Sequence, residues 1–169
     1  MIDKRYVSMM ARYNAWQNSQ LRDLVKVADA AELHKDRGAF FGSIFGTLNH
    51  LLWGDTIWMS RWCSDVPAPD VGIPDSIAFT PDLDVWDTKR FRLDGRMRIW
   101  SETLRNVDLS GDLSWHSDAL ARDVTRPMAV CVAHMFNHQT HHRGQLHAML
   151  SQAGMTPPVS DLFMMSEDV

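Results

Sequence analysis

Four stretches of this chain repeat their apolar residues at three- and four-residue steps, the signature of helices that bury one face. The first carries Tyr6, Met10, Tyr13, Leu21, Leu24 and Ala28, with Gln17 as a polar break, and predicts a helix near 4–28. The second, near 43–63, follows Ser43 as a plausible N-cap and carries Ile44, Leu48, Leu51, Leu52, Trp58, Met59 and Trp62. The third, near 82–107, is expected to open at Thr80-Pro81 with Asp82 and Asp84 favouring its positive end, and carries Trp86, Leu93, Met97, Trp100, Leu104 and Val107. The fourth, near 127–153, opens at Pro127 and carries Met128, Val132, Met135, Gln139, His142, Leu146 and Met149 until Gly154 and Pro157-Pro158 end it. Between the second and third lies VPAPDVGIPDSIAFTPD, too rich in proline to continue a helix and read as a long loop. Residues 108–126 allow a minor hairpin between LSWHS and RDVTR. The fold class expected is all-α, a four-helix bundle with its long connection between helices two and three.

Composition narrows the function. A chain of 169 residues, 45% hydrophobic and 22% charged, suits one domain over 1–169. At that length roughly 70% of the unfolded surface can be buried, so a metal would be needed for function and not to hold the core together. Lys+Arg 17 against Asp+Glu 21, a net charge of -4, with no basic run, argues against nucleic acid as a partner. No run of 18 apolar residues predicts a membrane span, and MIDKRYVSMM lacks the apolar core of a signal peptide. Cys63 and Cys131 form no CxxC, and both read as small buried apolar residues in a cytoplasmic protein.

Chemistry concentrates in VAHMFNHQTHHRGQLH, which places His134, His138, His141, His142 and His147 on the last helix. Positions four apart lie about 40° and about 6 Å apart, close enough for two imidazoles to share an ion. His134 with His138, and His138 with His142, both satisfy this, with His138 and His141 a weaker pair. A third ligand must come from another element, and His50 is the histidine inside a different predicted helix; His34 and His116 fall in predicted loops. Cys131 shares the azimuth of His138 but lies about 10 Å away along the axis.

NHLLWGD (49–55) and HMFNHQTHHRGQLHAML (134–150), with ARYNAWQNSQL (11–21) and the later PPVSDL, closely resemble the DinB/YfiT-like family of four-helix-bundle metalloenzymes. That family is unrelated to the DNA polymerase sharing its name. The resemblance spans nearly the whole chain and implies one zinc or nickel ion on His50, His138 and His142. It thereby selects the HxxHH block over His134, and leaves His134 and His141 in supporting or structural roles. Related members join low-molecular-weight thiols to electrophiles, and others are described as hydrolases.

Three imidazoles leave a coordination position open, for a water or for a substrate thiol. The expectation is a thiol-dependent transferase acting on a small electrophile, with a metal-dependent hydrolase or a non-catalytic metal-binding protein as alternatives. With no HExxH in the sequence, a metalloprotease is a poor reading. Asp55, about 140° around the helix from His50, is expected to be buried and paired with Arg12, Tyr13 or Trp16. Arg143 is read as a solvated or dimer-contact arginine, or as a clamp for an anionic substrate group, and Gly144 as a close-approach residue. Trp16, Trp53 and Trp58 are candidates to line a pocket over the metal. Phe91 and Ile99 exceed what one buried stripe needs, which predicts a homodimer.

Overall fold

The computed structural model describes residues 2–167. Its elements are α1 (Lys4–Lys26), α2 (Ala30–His34), α3 (Ile44–Trp62), α4 (Leu83–Thr103), β1 (Asp112–Ser117), β2 (Arg122–Pro127) and α5 (Met128–Gln152). Short 3-10 turns occupy Ile73–Ala78, Asn106–Leu109 and Leu162–Met164. The fold is mostly helical, with one antiparallel two-stranded sheet in which Trp115 faces Val124. Helix α1 packs on α4 and α5, and α3 packs on the same two, so the four long helices close a ring. Leu21, Leu48, Leu52, Trp86, Met97, Phe136 and Leu146 fill its centre. No helix among the described residues is long and apolar enough to cross a membrane.

Capping chemistry accounts for the differences from the expected boundaries. Ser43 caps α3 as expected, accepting from the Gly46 amide. Helix α1 stops at Lys26, before Ala28, because Asp29 accepts from the Ala31 amide and starts the separate short α2, which ends on His34. Asp82, two residues beyond Thr80, caps α4 through a 2.8 Å bond from the Val85 amide. Thr80 is instead buried against Asn49. Helix α4 ends at Thr103 rather than near 107, and the chain then tightens into the 106–109 turn. The hairpin forms, placing His116 on β1 beside Asp123 rather than in a loop.

A charged network crosses this interior. Arg90 donates to Asp55 at 2.8 Å and to Asp94 at 2.6 Å. Asn14 and Asn18 of α1 donate to the same two carboxylates at 3.1 and 2.9 Å. Arg143 reaches Asn14 at 2.5 Å, and all four charged groups are buried. Asp55 therefore does meet a helix-one donor, but it is Asn14. Arg12 holds the Ser166 and Glu167 carbonyls, Tyr13 the Ser160 carbonyl, and Trp16 lies against the Tyr13 ring. Arg143 is neither solvated nor at an outer surface, because its guanidinium turns inward toward Asn14 and the Tyr13 face. Burial lowers its pKa to about 10, against the pull of Asp55, so it stays charged at neutral pH. Gly144 is exposed and has open space where a Cβ would stand, so it supports no close helix approach.

Candidate metal centre

Helices α3 and α5 face each other along the interior, and each contributes ligand-type nitrogens at that seam. His138 and His142 stand one turn apart on α5 with ring centroids 4.5 Å apart. His50 comes across from α3, its centroid 4.9 Å from each. One nitrogen from each of the three falls within 4.8 Å of the others, a group able to hold a metal ion. The Nε2 atoms of His50 and His138 are 3.0 Å apart. Two imidazoles bound tetrahedrally at 2.0–2.1 Å would have nitrogens about 3.3 Å apart, so the spacing suits a shared ion with little adjustment.

A family model, the DinB family, matches residues 1–168. The chain belongs to the DinB family. Protein DinB of Bacillus subtilis (strain 168) is 21% identical over 152 residues, covering 88% of this chain and 87% of that protein.

In this DinB-family chain the surroundings of the three histidines keep them neutral. Burial holds His50 down to about 3, and the neighbouring His142 adds to the effect. His138 is also held at about 3, by burial first and then by His142 and His50. Burial lowers His142 as well, partly offset by its bond to Gln145. A metal takes the neutral imidazole, so the lone pairs are available at neutral pH without first losing a proton. The donor set fits a borderline divalent ion such as zinc or nickel.

Each ring is also held in place. Phe41 stacks on His50 at 3.7 Å, and Trp53 lies near-parallel to His50 at 5.8 Å. Ser76 Oγ sits 2.9 Å from His50 Nδ1, and Gln145 Oε1 sits 2.8 Å from His142 Nδ1. Helix register is fixed by the residues that follow His138 and His142: Gln139 donates to the Leu51 carbonyl at 2.9 Å, and Arg143 to Asn14. His138 fits against α3 because residue 54 is glycine; a Cβ there would lie 2.9 Å from His138 Cε1.

The remaining candidates fall outside the three-nitrogen group. His134 is exposed, with its ring 6.0 Å from His138 and 5.4 Å from Trp58. His141 is exposed and contacts His142 at 4.8 Å. His147 does not join the group, His34 lies against Phe45, and His116 is on the hairpin. Of the three tryptophans proposed to line a pocket, Trp53 stacks by His50, Trp58 touches His134 and Trp115, and Trp16 packs on Tyr13. Cys131 and Cys63 are buried free thiols.

Sequence reasoning missed Ser76, Gly54 and Phe41. Ser76 sits in a segment read as plain loop, and Gly54 acts through the side chain it lacks. Phe41 belongs to an aromatic-Gly stretch with no periodic signal.

Proposed function

We propose that this chain is a metal-dependent enzyme on a single four-helix-bundle domain, with His50, His138 and His142 holding one zinc or nickel ion. The observation that carries the reading is the convergence of three neutral imidazoles from two helices within 4.8 Å. An ion held there supplies a Lewis acid with coordination left for a small molecule. The reaction we assign is transfer of a low-molecular-weight thiol to a small electrophile.

The disposition of proton-handling groups supports a thiol as the nucleophile. Asp55 is committed to Arg90 and Asn14, and the titratable side chains in ring contact with the ligands are His134 and His141. A thiol ionises near 8.5 and needs little help from a base, whereas water needs much more. His134 and His141, exposed at the flanks, can accept the proton that a thiol releases. Phe41 and Trp53, packed on His50, keep that ligand from swinging away.

Buried free Cys63 and Cys131 support a reducing, cytoplasmic setting. Phe91 and Ile99, both largely exposed on α4, form the face we assign to a homodimer, which sedimentation velocity checks. The activity test loads the protein with zinc or nickel and offers cysteine or glutathione with 1-chloro-2,4-dinitrobenzene. Metal- and His138-dependent conjugation supports the transferase. Thiol-independent ester cleavage would favour a hydrolase, and metal retention without turnover on either panel would favour a binding protein.

A further inference from the structure

The segment connecting α3 to α4 is docked on the same turn of α3 that carries His50. Asn49 Nδ2 donates to the Ile77 carbonyl at 3.1 Å, and Asn49 Oδ1 accepts from the Thr80 amide at 3.0 Å and its hydroxyl at 2.7 Å. Trp53 Nε1 donates to the Val71 carbonyl at 2.8 Å. Between these two anchors, fully buried Ser76 meets His50 Nδ1 at 2.9 Å. Asn49, His50 and Trp53 thus grip residues 71–80 through consecutive contacts, and the middle contact ends on a candidate ligand.

Ser76 has one hydroxyl proton, and the shorter of its two bonds, 2.7 Å, gives that proton to the Ile73 carbonyl. Toward His50 the hydroxyl therefore acts as an acceptor, which requires a proton on Nδ1. A neutral imidazole carries one proton, so Nε2 is left with its lone pair, pointing at His138 Nε2 3.0 Å away. This is the tautomer a metal held between the two rings needs. Such an outer hydrogen bond both orients a ligating imidazole and makes it more basic.

We propose that Ser76 is a positioning residue for the metal centre: it locks His50 in the Nδ1–H form, and through it metal loading and docking of residues 71–80 become one coupled equilibrium. Coupling is reciprocal by linkage, so whatever factor docking adds to metal affinity, the metal adds to docking. The inference rests on the proposed metal centre, but its first half concerns the metal-free protein and is measurable there.

The test has three readouts besides activity. Two-bond 1H–15N NMR of the metal-free wild-type chain should show His50 protonated at Nδ1. Isothermal titration with zinc should give Ser76→Ala an affinity about 10–100-fold weaker than wild type, the range for loss of such a partner, while Ser76→Thr, which keeps the hydroxyl, stays within about threefold. Hydrogen exchange should show zinc slowing the amides of residues 71–80 in wild type and doing so less in Ser76→Ala. Metal-free melting and circular dichroism on each variant separate a local effect from a folding defect. An Nε2–H tautomer of His50 in the wild-type chain, or equal zinc affinity for wild type and Ser76→Ala, overturns the role of Ser76. Absence of zinc binding by wild type overturns the metal centre and the coupling with it, whereas the tautomer still decides what Ser76 does to His50.

Discussion

Replacing Gly54 by alanine separates the stability of the fold from the geometry of its centre. The added Cβ would stand 2.9 Å from His138 Cε1 and 3.2 Å from Nδ1. Carbon atoms pack comfortably at about 3.5 Å, so the ring must retreat by about 0.6 Å or the helices must part. Metal–nitrogen bonds tolerate about 0.2 Å, so a retreat of that size takes His138 out of bonding range. Zinc affinity should therefore fall at least about tenfold. The backbone effect runs the other way. Gly54 is inside α3, where alanine is better by roughly 0.8–1.0 kcal/mol, and the obstructing atoms belong to the tip of one side chain. The metal-free melting temperature should then hold or rise by about 2–4 °C, the response of a chain of this size to 1 kcal/mol. Zinc titration calorimetry beside metal-free thermal melts reads both numbers. Zinc affinity within twofold of the parent would refute the argument that glycine is there to admit His138.

Alanine at His50, His138 or His142 should lower metal content after reconstitution far more than alanine at His134, His141 or His147, as measured by elemental analysis. Zinc at 100 times its dissociation constant should stabilise the chain by about 2.7 kcal/mol, a rise in melting temperature that a chelator reverses while helical circular dichroism stays intact. Asp55→Ala leaves Arg90 buried with one carboxylate fewer and should cost about 3–5 kcal/mol in a urea melt, and a cost under 1 kcal/mol would show the network to be solvated. In metal-free protein, burial holds His50 and His138 at about 3, while unfolded imidazoles titrate near 6.5. Between those values the unfolded chain binds more protons, so stability should fall as pH drops from 6.5 toward 3. Asp94, raised by burial to about 6, works in the opposite sense between about 4 and 6, but two histidines outweigh one carboxylate; melts at pH 7, 5.5 and 4.5 read the sum.

The helices were legible because their buried faces are marked by large apolar residues at helical spacing, and the same spacing marked His134, His138 and His142 as one-turn pairs without choosing between them. What periodicity discards is polarity that is also buried. Asn14, Gln17, Asn18, Arg90, Asp94 and Arg143 all lie inside, yet an apolar count treats each as a gap or a solvated position. Gln17 interrupted the α1 stripe for this reason: its amide faces inward to hold the Val159 carbonyl at 2.6 Å. His50 stood out by position, as the histidine inside a second predicted helix, whereas the choice of His138 with His142 over His134 with His138 rested on the family resemblance, because both pairs have the same spacing. Ser76 and Gly54 were out of reach, since the contact of one and the clearance of the other exist only once α5 and the connecting segment are laid on α3. Helix ends moved wherever an aspartate could cap, as at Asp29 and Asp82.

The paired charges inside the ring also limit how such a sequence can drift. Arg90 pairs with both Asp55 and Asp94, Arg143 is held by Asn14, and these groups come from all four long helices. Changing Arg90, or the aspartate it holds, leaves a partner stranded out of water, at a cost of about 3–5 kcal/mol against a total stability of about 5–15 kcal/mol. An apolar core admits a single methyl more or less at each step. Here the passable routes require compensating changes to arrive together, or a prior gain in stability elsewhere, so descendants of this chain should carry Asp55, Arg90 and Asp94 as a set or lose them as a set.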